Sequence, residues 1–430
     1  MKPLTNTQRW IAIMTFGMAN GVIYLLPYIQ YPYYDSMVEA FKFNNTQMGT
    51  LISVFGIINA VLYPIGGLVL DKYAKDKVFI ILAMILTGLG GLWFAGYPGY
   101  YESLAIMSLW GFTTTFLFWT AFINGKRRLG TGADMGKVFG LSESFSMVIG
   151  MLASASGLYI FNAMGNDFSK VIIYYSILHF VGAFFCFIFI PSDKRLLEQE
   201  TDKGTISREK VDVMEGLKYL IRRPDIWYIS VIIFCSYGIG MTIGRISPYL
   251  TAVFGVSVTL AAAIGIVNQY VVSIAGPSAG GLIADKLRSS STFIKYCFVW
   301  LAAAAIMLIV LPGNAKLLAV AVLVGWSVKL IQTCQRGAYW VPLTDTRLPE
   351  SYSGTAIGLV SFLGFLPEAF IQTLWGAVLD HYADDKIMGY KIIFAGILTM
   401  AVVGFIFCQL LLADMRKRGL LDEKGKTIIA

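Results

Sequence analysis

Residues 66–72 read Gly66-Gly67-Leu68-Val69-Leu70-Asp71-Lys72, and residues 280–286 read Gly280-Gly281-Leu282-Ile283-Ala284-Asp285-Lys286. The two stretches lie 214 residues apart, and at the same spacing Gly111 meets Gly325, each beside a tryptophan (Trp110, Trp326). Each stretch closes an apolar run with an acidic-basic pair. Glycine there lets two helices approach closely. The aspartate ends the run where it can meet a neighbouring helix N-terminus or a basic side chain. One copy would be an ordinary helix stop followed by retained lysines. Two copies at matching positions point to duplicated halves, the signature of transporters whose repeats are related by an axis along the membrane normal.

Composition agrees. The chain has 430 residues, 57% hydrophobic and only 14% charged, with a mean hydropathy of +0.67. Soluble domains carry about 25% charged residues. The excess of apolar side chains excludes a soluble enzyme, a disordered chain and a secreted disulfide scaffold. Cys186, Cys235, Cys297, Cys334 and Cys408 all fall in apolar stretches without metal-ligand spacing, so buried thiols are expected. The first apolar stretch is too long for a signal-peptide core and lacks a small-residue cleavage site, so it reads as the first span.

A spanning helix needs about 20 apolar residues. Twelve such stretches are expected, near 9–34, 46–70, 78–97, 102–124, 138–162, 170–190, 226–250, 258–284, 292–312, 317–340, 354–378 and 388–412. They make an all-α integral membrane protein with an N-terminal six-helix bundle (1–190), a polar linker (191–225) with an amphipathic helix near Val211–Leu220, a second six-helix bundle (226–412) and a tail (413–430). With both termini inside, the cytoplasmic segments hold 27 of the 34 Lys/Arg and the outer ones five, leaving Arg245 and Lys329 within spans. Basic residues are retained on the cytoplasmic side, so this bias sets the topology. It also disposes of a nucleic-acid partner, because the +8 charge is spread over every inner loop. Tyr31, Tyr33 and Tyr34 are expected in an interfacial aromatic belt.

With these motifs the sequence resembles the major facilitator superfamily along its whole length. Gly67, Asp71, Lys72 and Lys75 match that family's loop motif, as do Gly281, Asp285 and Lys286. The first copy departs at Ala74 and Asp76, and the second lacks a basic tail after Arg288. The resemblance implies two six-helix bundles around a central cavity, alternating access, and gating by the loop-motif residues Asp71, Lys72, Asp285 and Lys286. A narrower similarity lies in IGIVNQYVVSIAGPSAGGLIADK (264–286), Gln335-Arg336 and GLVSFLGFLP (358–367), which resemble the YihN-type branch associated with sulfosugar use. That implies an organic anion or sugar-like solute. Trp227-Tyr228 and Ser247-Pro248-Tyr249 are faintly similar to organophosphate:phosphate antiporters, but the arginine those carry falls on Gly240, which disfavours phosphate-ester exchange.

Charges within a span are costly, at about 2.5–3.5 kcal/mol on insertion scales, and face a cavity or a partner. Counting about 1.5 Å per residue from the outer helix ends puts Lys329 about 18 Å deep and Glu368 about 15 Å deep. An ion pair between them is therefore expected, either as a structural brace or as a substrate or proton site. Gln332, three residues after Lys329, shares its helix face. Arg245 has two readings: snorkelling to the interface, or a guanidinium fork for a carboxylate or sulfonate, with Gly240 and Gly244 leaving room. Glu143 with Arg127 and Arg128 is expected to form an inner-gate salt bridge; a proton-coupling carboxylate is the alternative. Arg336 reads as structural at the inner interface. Asn268 and Gln269, with Asn20 and Asn59 in the first half, and Tyr24, Tyr28 and Trp119 suit hydrogen bonding and stacking with a polar solute, although helix packing is the commoner use of such residues. His179 reads as a packing histidine.

There is no Walker-type loop and no His-Glu-x-x-His pair in the sequence, and the one Gly-x-Ser-x-Gly match, Gly276-Pro277-Ser278-Ala279-Gly280, lies inside an apolar stretch and not at the strand-to-helix turn a nucleophile elbow needs. The expectation is a multi-pass secondary transporter of the cytoplasmic membrane, not an enzyme. It needs no cofactor, works as a monomer in contact with membrane lipid, and carries a small organic anion with or without a coupling proton or other ion. A carrier of neutral sugars or nucleosides is the alternative, and a membrane-embedded solute sensor is the rival from another class.

Overall fold

A computed structural model of the chain describes residues 4–73, 75–130, 135–196, 213–287, 289–349, 352–422 and 426–428. Ala74 and Arg288 fall outside the described residues, as do the side chains of 63–73 and of Asp285. The described residues are helical, apart from turns and an isolated antiparallel bridge between Leu421 and Thr427.

The chain divides into two compact units, Met1–Ser207 with Val258–Ile266, and Arg208–Ser257 with Val267–Ala430. The first holds α1 (Asn6–Ile23), α2 (Tyr34–Phe41), α3 (Asn45–Tyr73), α4 (Asp76–Phe94), α5 (Tyr100–Gly111), α6 (Thr120–Leu129), α7 (Met135–Ala163) and α8 (Phe168–Phe189). A π-helical stretch, Phe112–Trp119, joins α5 to α6. In the second, α9 (Val213–Ile221) leads into α10 (Pro224–Ile243) and α11 (Ile246–Phe254). After α12 (Val258–Ile266), which clusters with the first unit, a second π stretch (Val267–Val271) leads to α13 (Val272–Leu287). Then come α14 (Ser290–Val310), α15 (Leu318–Ala338), α16 (Val341–Asp345), α17 (Ser353–Gly364), α18 (Ile371–His381) and α19 (Lys386–Lys417).

Among the described residues, ten helical stretches are long and apolar enough to cross a membrane. The first and eleventh of the twelve expected spans are interrupted instead. After Ile23 the chain continues as hydrogen-bonded turns over 24–32, where Pro27 and Pro32 have no N–H to extend a helix. The eleventh breaks at Phe365 into a 3-10 turn, Leu366–Ala369, that contains Pro367. Helix starts follow ordinary capping chemistry. Thr5 and Gln8 form a reciprocal capping box on α1, while Asp167, Ser289 and Asp385 cap α8, α14 and α19.

The units are held by close helix crossings on small residues. In the first, α1 lies on α7. A Cβ on Gly17 would come within 2.6 Å of the Ser142 carbonyl oxygen, and one on Gly21 within 2.5 Å of that of Ser146. In the second, α13 crosses α15, and a Cβ on Gly280 would lie 2.0 Å from the Cys334 carbonyl oxygen. Gly280 rather than the motif residue Gly281 is thus the packing glycine, for a Cβ on Gly281 would find its nearest atom at 3.9 Å. Gly111 and Gly325 both admit an isoleucine, Ile58 and Ile246 respectively. Their tryptophans differ: Trp110 Nε1 donates to the Thr87 carbonyl at 3.1 Å, whereas Trp326 Nε1 is buried without a hydrogen-bond partner among the described residues.

One expectation is corrected at the helix ends. Tyr33 and Tyr34 are buried rather than set in an aromatic belt. Tyr33 packs on Phe161 and Phe168, and Tyr34 Oη donates to Asn45 Oδ1 at 2.7 Å. The last stretch of chain is also tied down. Arg418 Nη1 donates to Asp225 Oδ2 at 2.8 Å and its Nη2 to the Thr346 carbonyl at 2.8 Å. Arg223 binds the same carboxylate and carbonyl.

Candidate functional site

In the second unit the polar groups gather where helices break. The α10 helix ends at Ile243, and Gly244 and Arg245 separate it from α11. The break frees carbonyls that an intact helix would use. Arg245, only 3% exposed, donates from Nε to Gln372 Oε1 at 2.8 Å and from Nη2 to the Gln372 carbonyl at 2.9 Å. Gln372 in turn donates from Nε2 to the Met241 carbonyl at 2.7 Å, and Trp375 Nε1 donates to Thr242 Oγ1 at 2.9 Å. Arg245 therefore does not snorkel. Its fork is committed to the partly unwound eleventh span, because Gln372 offers two acceptors within reach of one guanidinium.

Glu368 sits in the 3-10 turn, buried at 5% exposure, and accepts from Tyr237 Oη at 3.0 Å. The expected Lys329–Glu368 ion pair is not formed. Lys329 is half-buried on α15 and has no ion-pair partner among the described residues. The depth count assumed two continuous α-helices. The 3-10 stretch advances about 2.0 Å per residue and turns its side chains through a different angle, so equal counting does not bring the two groups face to face.

Gln332 is buried against Gly240, where a Cβ would come within 2.8–2.9 Å of its carboxamide. Asn268 is buried in the second π stretch, its Oδ1 without a hydrogen-bond partner among the described residues, and Gln269 beside it is half-buried. Local π-helical turns frequently mark functional positions.

In the first unit the aromatic candidates form a ladder. Tyr24 and Tyr28 stack at 5.8 Å and 19°, Tyr24 meets the edge of Phe118, and Tyr28 meets Phe55. Trp119 lies against Phe122. Both asparagines bind side chains across helices: Asn20 Nδ2 donates to Ser146 Oγ at 2.9 Å, and Thr115 Oγ1 donates to Asn59 Oδ1 at 2.6 Å. His179 is a packing histidine, its ring nitrogens on the Tyr175 and Ile23 carbonyls.

Of the gating candidates, the structure bears on the expected salt bridge of Glu143 with Arg127 and Arg128. Asp71, Lys72 and Asp285 lie outside the described side chains, while Lys286 is exposed in the last turn of α13. Arg128 forms a buried ion pair with Asp76, not with Glu143. Asp76 opens α4, which packs on α6, so its carboxylate is delivered directly to Arg128. Arg127 and Glu143 are half-buried. Lys126 is a further charged group in α6 that the sequence reading missed. Lys126 is buried with its ammonium 3.6 Å from the Phe122 ring centre and 4.3 Å from that of Phe139. Beyond the span, Asp193 Oδ1 accepts the Lys77 N–H at 2.7 Å, and burial pushes its carboxyl above the ordinary carboxylate range.

Tyr237, Gln372 and Trp375 were also missed. The last two lie four and seven residues after Glu368, the spacing of one helix face had the span been continuous, which is the one signal the sequence offered for them.

A multi-pass helical protein with buried polar groups at its helix breaks is the architecture of a membrane transporter. The Major Facilitator Superfamily profile matches residues 10–370, and the chain belongs to that superfamily. Similar proteins include two from Escherichia coli K12. The inner membrane protein YihN is 28% identical over 426 residues, covering 96% of this chain and 98% of that one. The inner membrane protein YqcE is 31% identical over 386 residues, covering 88% of each. Among solved structures, a bacterial homologue of the human lysosomal transporter Spinster, inward-facing and unoccupied, matches with a TM-score of 0.74 at 14% identity, over 96% of this chain and 99% of that one. The nucleoside transporter NupG matches with a TM-score of 0.67 at 14% identity, over 95% and 99%. At such identities the likeness is one of fold.

Proposed function

We propose that the chain is a secondary transporter of the inner membrane that moves a small organic anion, such as a carboxylate, a sulfonate or an acidic sugar, by alternating access. The carrying observation is Lys329: an ammonium placed in a spanning helix with no carboxylate to neutralise it among the described residues. A cation within a spanning helix and without a counter-charge is expensive, and an anionic cargo would supply that charge at the moment of binding. Gln332, Asn268, Gln269 and the Tyr237–Glu368 pair provide amide and hydroxyl groups for the uncharged part of the cargo. Glu368 is the candidate for a coupling proton. Asp71, Lys72, Asp285, Lys286, Arg127, Arg128 and Glu143 serve gating. Bundles 1–190 and 226–412 are the moving parts, joined by 191–225. The inner-membrane relatives support the location, and the superfamily supports transport over catalysis or sensing.

The ladder of Tyr24, Tyr28, Phe118 and Phe55 supports a second reading, a neutral sugar or nucleoside stacked on aromatic faces. Uptake into proteoliposomes separates the two, run with carboxylates, sulfonates, acidic sugars, neutral sugars and nucleosides, with and without a pH gradient. The anion reading expects uptake of one anionic class, lost in Lys329→Ala while the variant still elutes as a folded species. Uptake of neutral solutes alone, or unchanged anion uptake by Lys329→Ala, overturns it.

A further inference from the structure

At the basic end of the first unit, α1, α7 and α8 leave an open apolar groove of about 580 Å³. Its walls are stripes at helical spacing: Trp10, Met14 and Met18 from α1, Phe145 and Ile149 from α7, and Phe189 from α8. The distance from Trp10 to Met18 is about 12 Å along a helix, close to the roughly 15 Å of one bilayer leaflet's hydrocarbon. The mouth carries charge. The Arg9 guanidinium carbon lies 5.5 Å from the Trp10 ring centre, and Lys137 Nζ lies 5.4 Å from the same ring. Arg9 is anchored through Nε to the Leu129 carbonyl at 2.6 Å, so one cation is fixed in place. Lys137 is exposed and reaches toward the ring. The tryptophan between them is the residue type that favours the headgroup level.

We infer that this groove is a binding site for an anionic phospholipid of the cytoplasmic leaflet, its acyl chain along Trp10, Met14 and Met18 and its phosphate between Arg9 and Lys137. The shape selects one chain of one leaflet. The two cations select a net negative headgroup over a zwitterionic one, since basic residues at the surface attract anionic lipid. The site is separate from Lys329 and holds whatever the solute proves to be.

Tryptophan quenching by lipids with brominated chains tests it on the whole protein in phosphatidylcholine bilayers. Brominated phosphatidylglycerol at low mole fraction is expected to quench more than brominated phosphatidylcholine. That excess is expected to vanish in Trp10→Phe, which removes the reporter in the groove and leaves the other tryptophans. Lys137→Gln, a change at an exposed residue, is expected to weaken the preference by about fivefold. Equal quenching by the two lipids overturns the site. So does an excess that survives Trp10→Phe, which places the lipid elsewhere, or one that Lys137→Gln leaves untouched, which removes the headgroup selection.

Discussion

Arg245 and Gln372 form a two-point clasp, with Nε on the side-chain oxygen and Nη2 on the main-chain carbonyl, 2.8 and 2.9 Å long. Through Gln372 Nε2 on the Met241 carbonyl, the break after α10 and the start of α18 are fixed to each other. An arginine used this way holds the geometry of two interrupted spans, and its planar fork has no substitute in lysine. Arg245→Lys is expected to cost about 2–3 kcal/mol, read as a lowered thermal midpoint in detergent. Loss of solute affinity with an unchanged midpoint would return Arg245 to the cargo.

Asp76 and Arg128 make a buried pair, and breaking such a pair costs more than replacing it. Asp76→Ala is expected to destabilise by about 3–5 kcal/mol. Asp76→Leu combined with Arg128→Met is expected to recover most of that loss. Unfolding midpoints of the two variants decide, and equal losses would mean that the pair is not a closed unit.

Gly240 exists for Gln332. A Cβ at that position meets the carboxamide within 2.8–2.9 Å, so Gly240→Ala is expected to cost about 1–3 kcal/mol by overpacking. Because the obstacle is a side-chain end, Gly240→Ala with Gln332→Ala is expected to be less destabilised than Gly240→Ala alone. A strictly additive double variant, measured by thermal midpoints, would separate the two residues.

Gly280 faces backbone, which cannot step aside. Gly280→Ala is expected to abolish folded yield, whereas Gly281→Ala, whose Cβ would make only an ordinary contact at 3.9 Å, is expected to stay within about 0.5 kcal/mol of the parent. Fluorescence-detected size exclusion compares them directly. Equal losses in both would shift the packing role back to the motif glycine.

The repeat and the hydropathy carried the fold, because a membrane forces every spanning stretch to be both apolar and helical. The departures came where one helix is not one rod. Pro27, Pro32 and Pro367 were visible as residues, but which carbonyls they free, and that Arg245 would take up acceptors on Gln372, depends on packing between spans far apart in sequence. Depth counting therefore aligned Lys329 with Glu368, while Tyr237 took the carboxylate. Asp76 was legible as a departure from the loop motif. Its partner was not, since Arg128 lies a further span away. The paired small residues Gly17 and Gly21, and Gly276 and Gly280, are a four-residue spacing readable in advance, and they mark the crossings actually used.

The hold of Arg418 on Asp225 and on the Thr346 carbonyl bears on how this protein is handled at the bench. A chain cut after Lys417 keeps every hydrophobic segment and would pass any topology check, yet it loses the stitch between the final helix, the entry to α10 and the turn after α16. Purification tags are better joined beyond residue 430, and shortened versions made to help crystals grow should stop no earlier than Gly419.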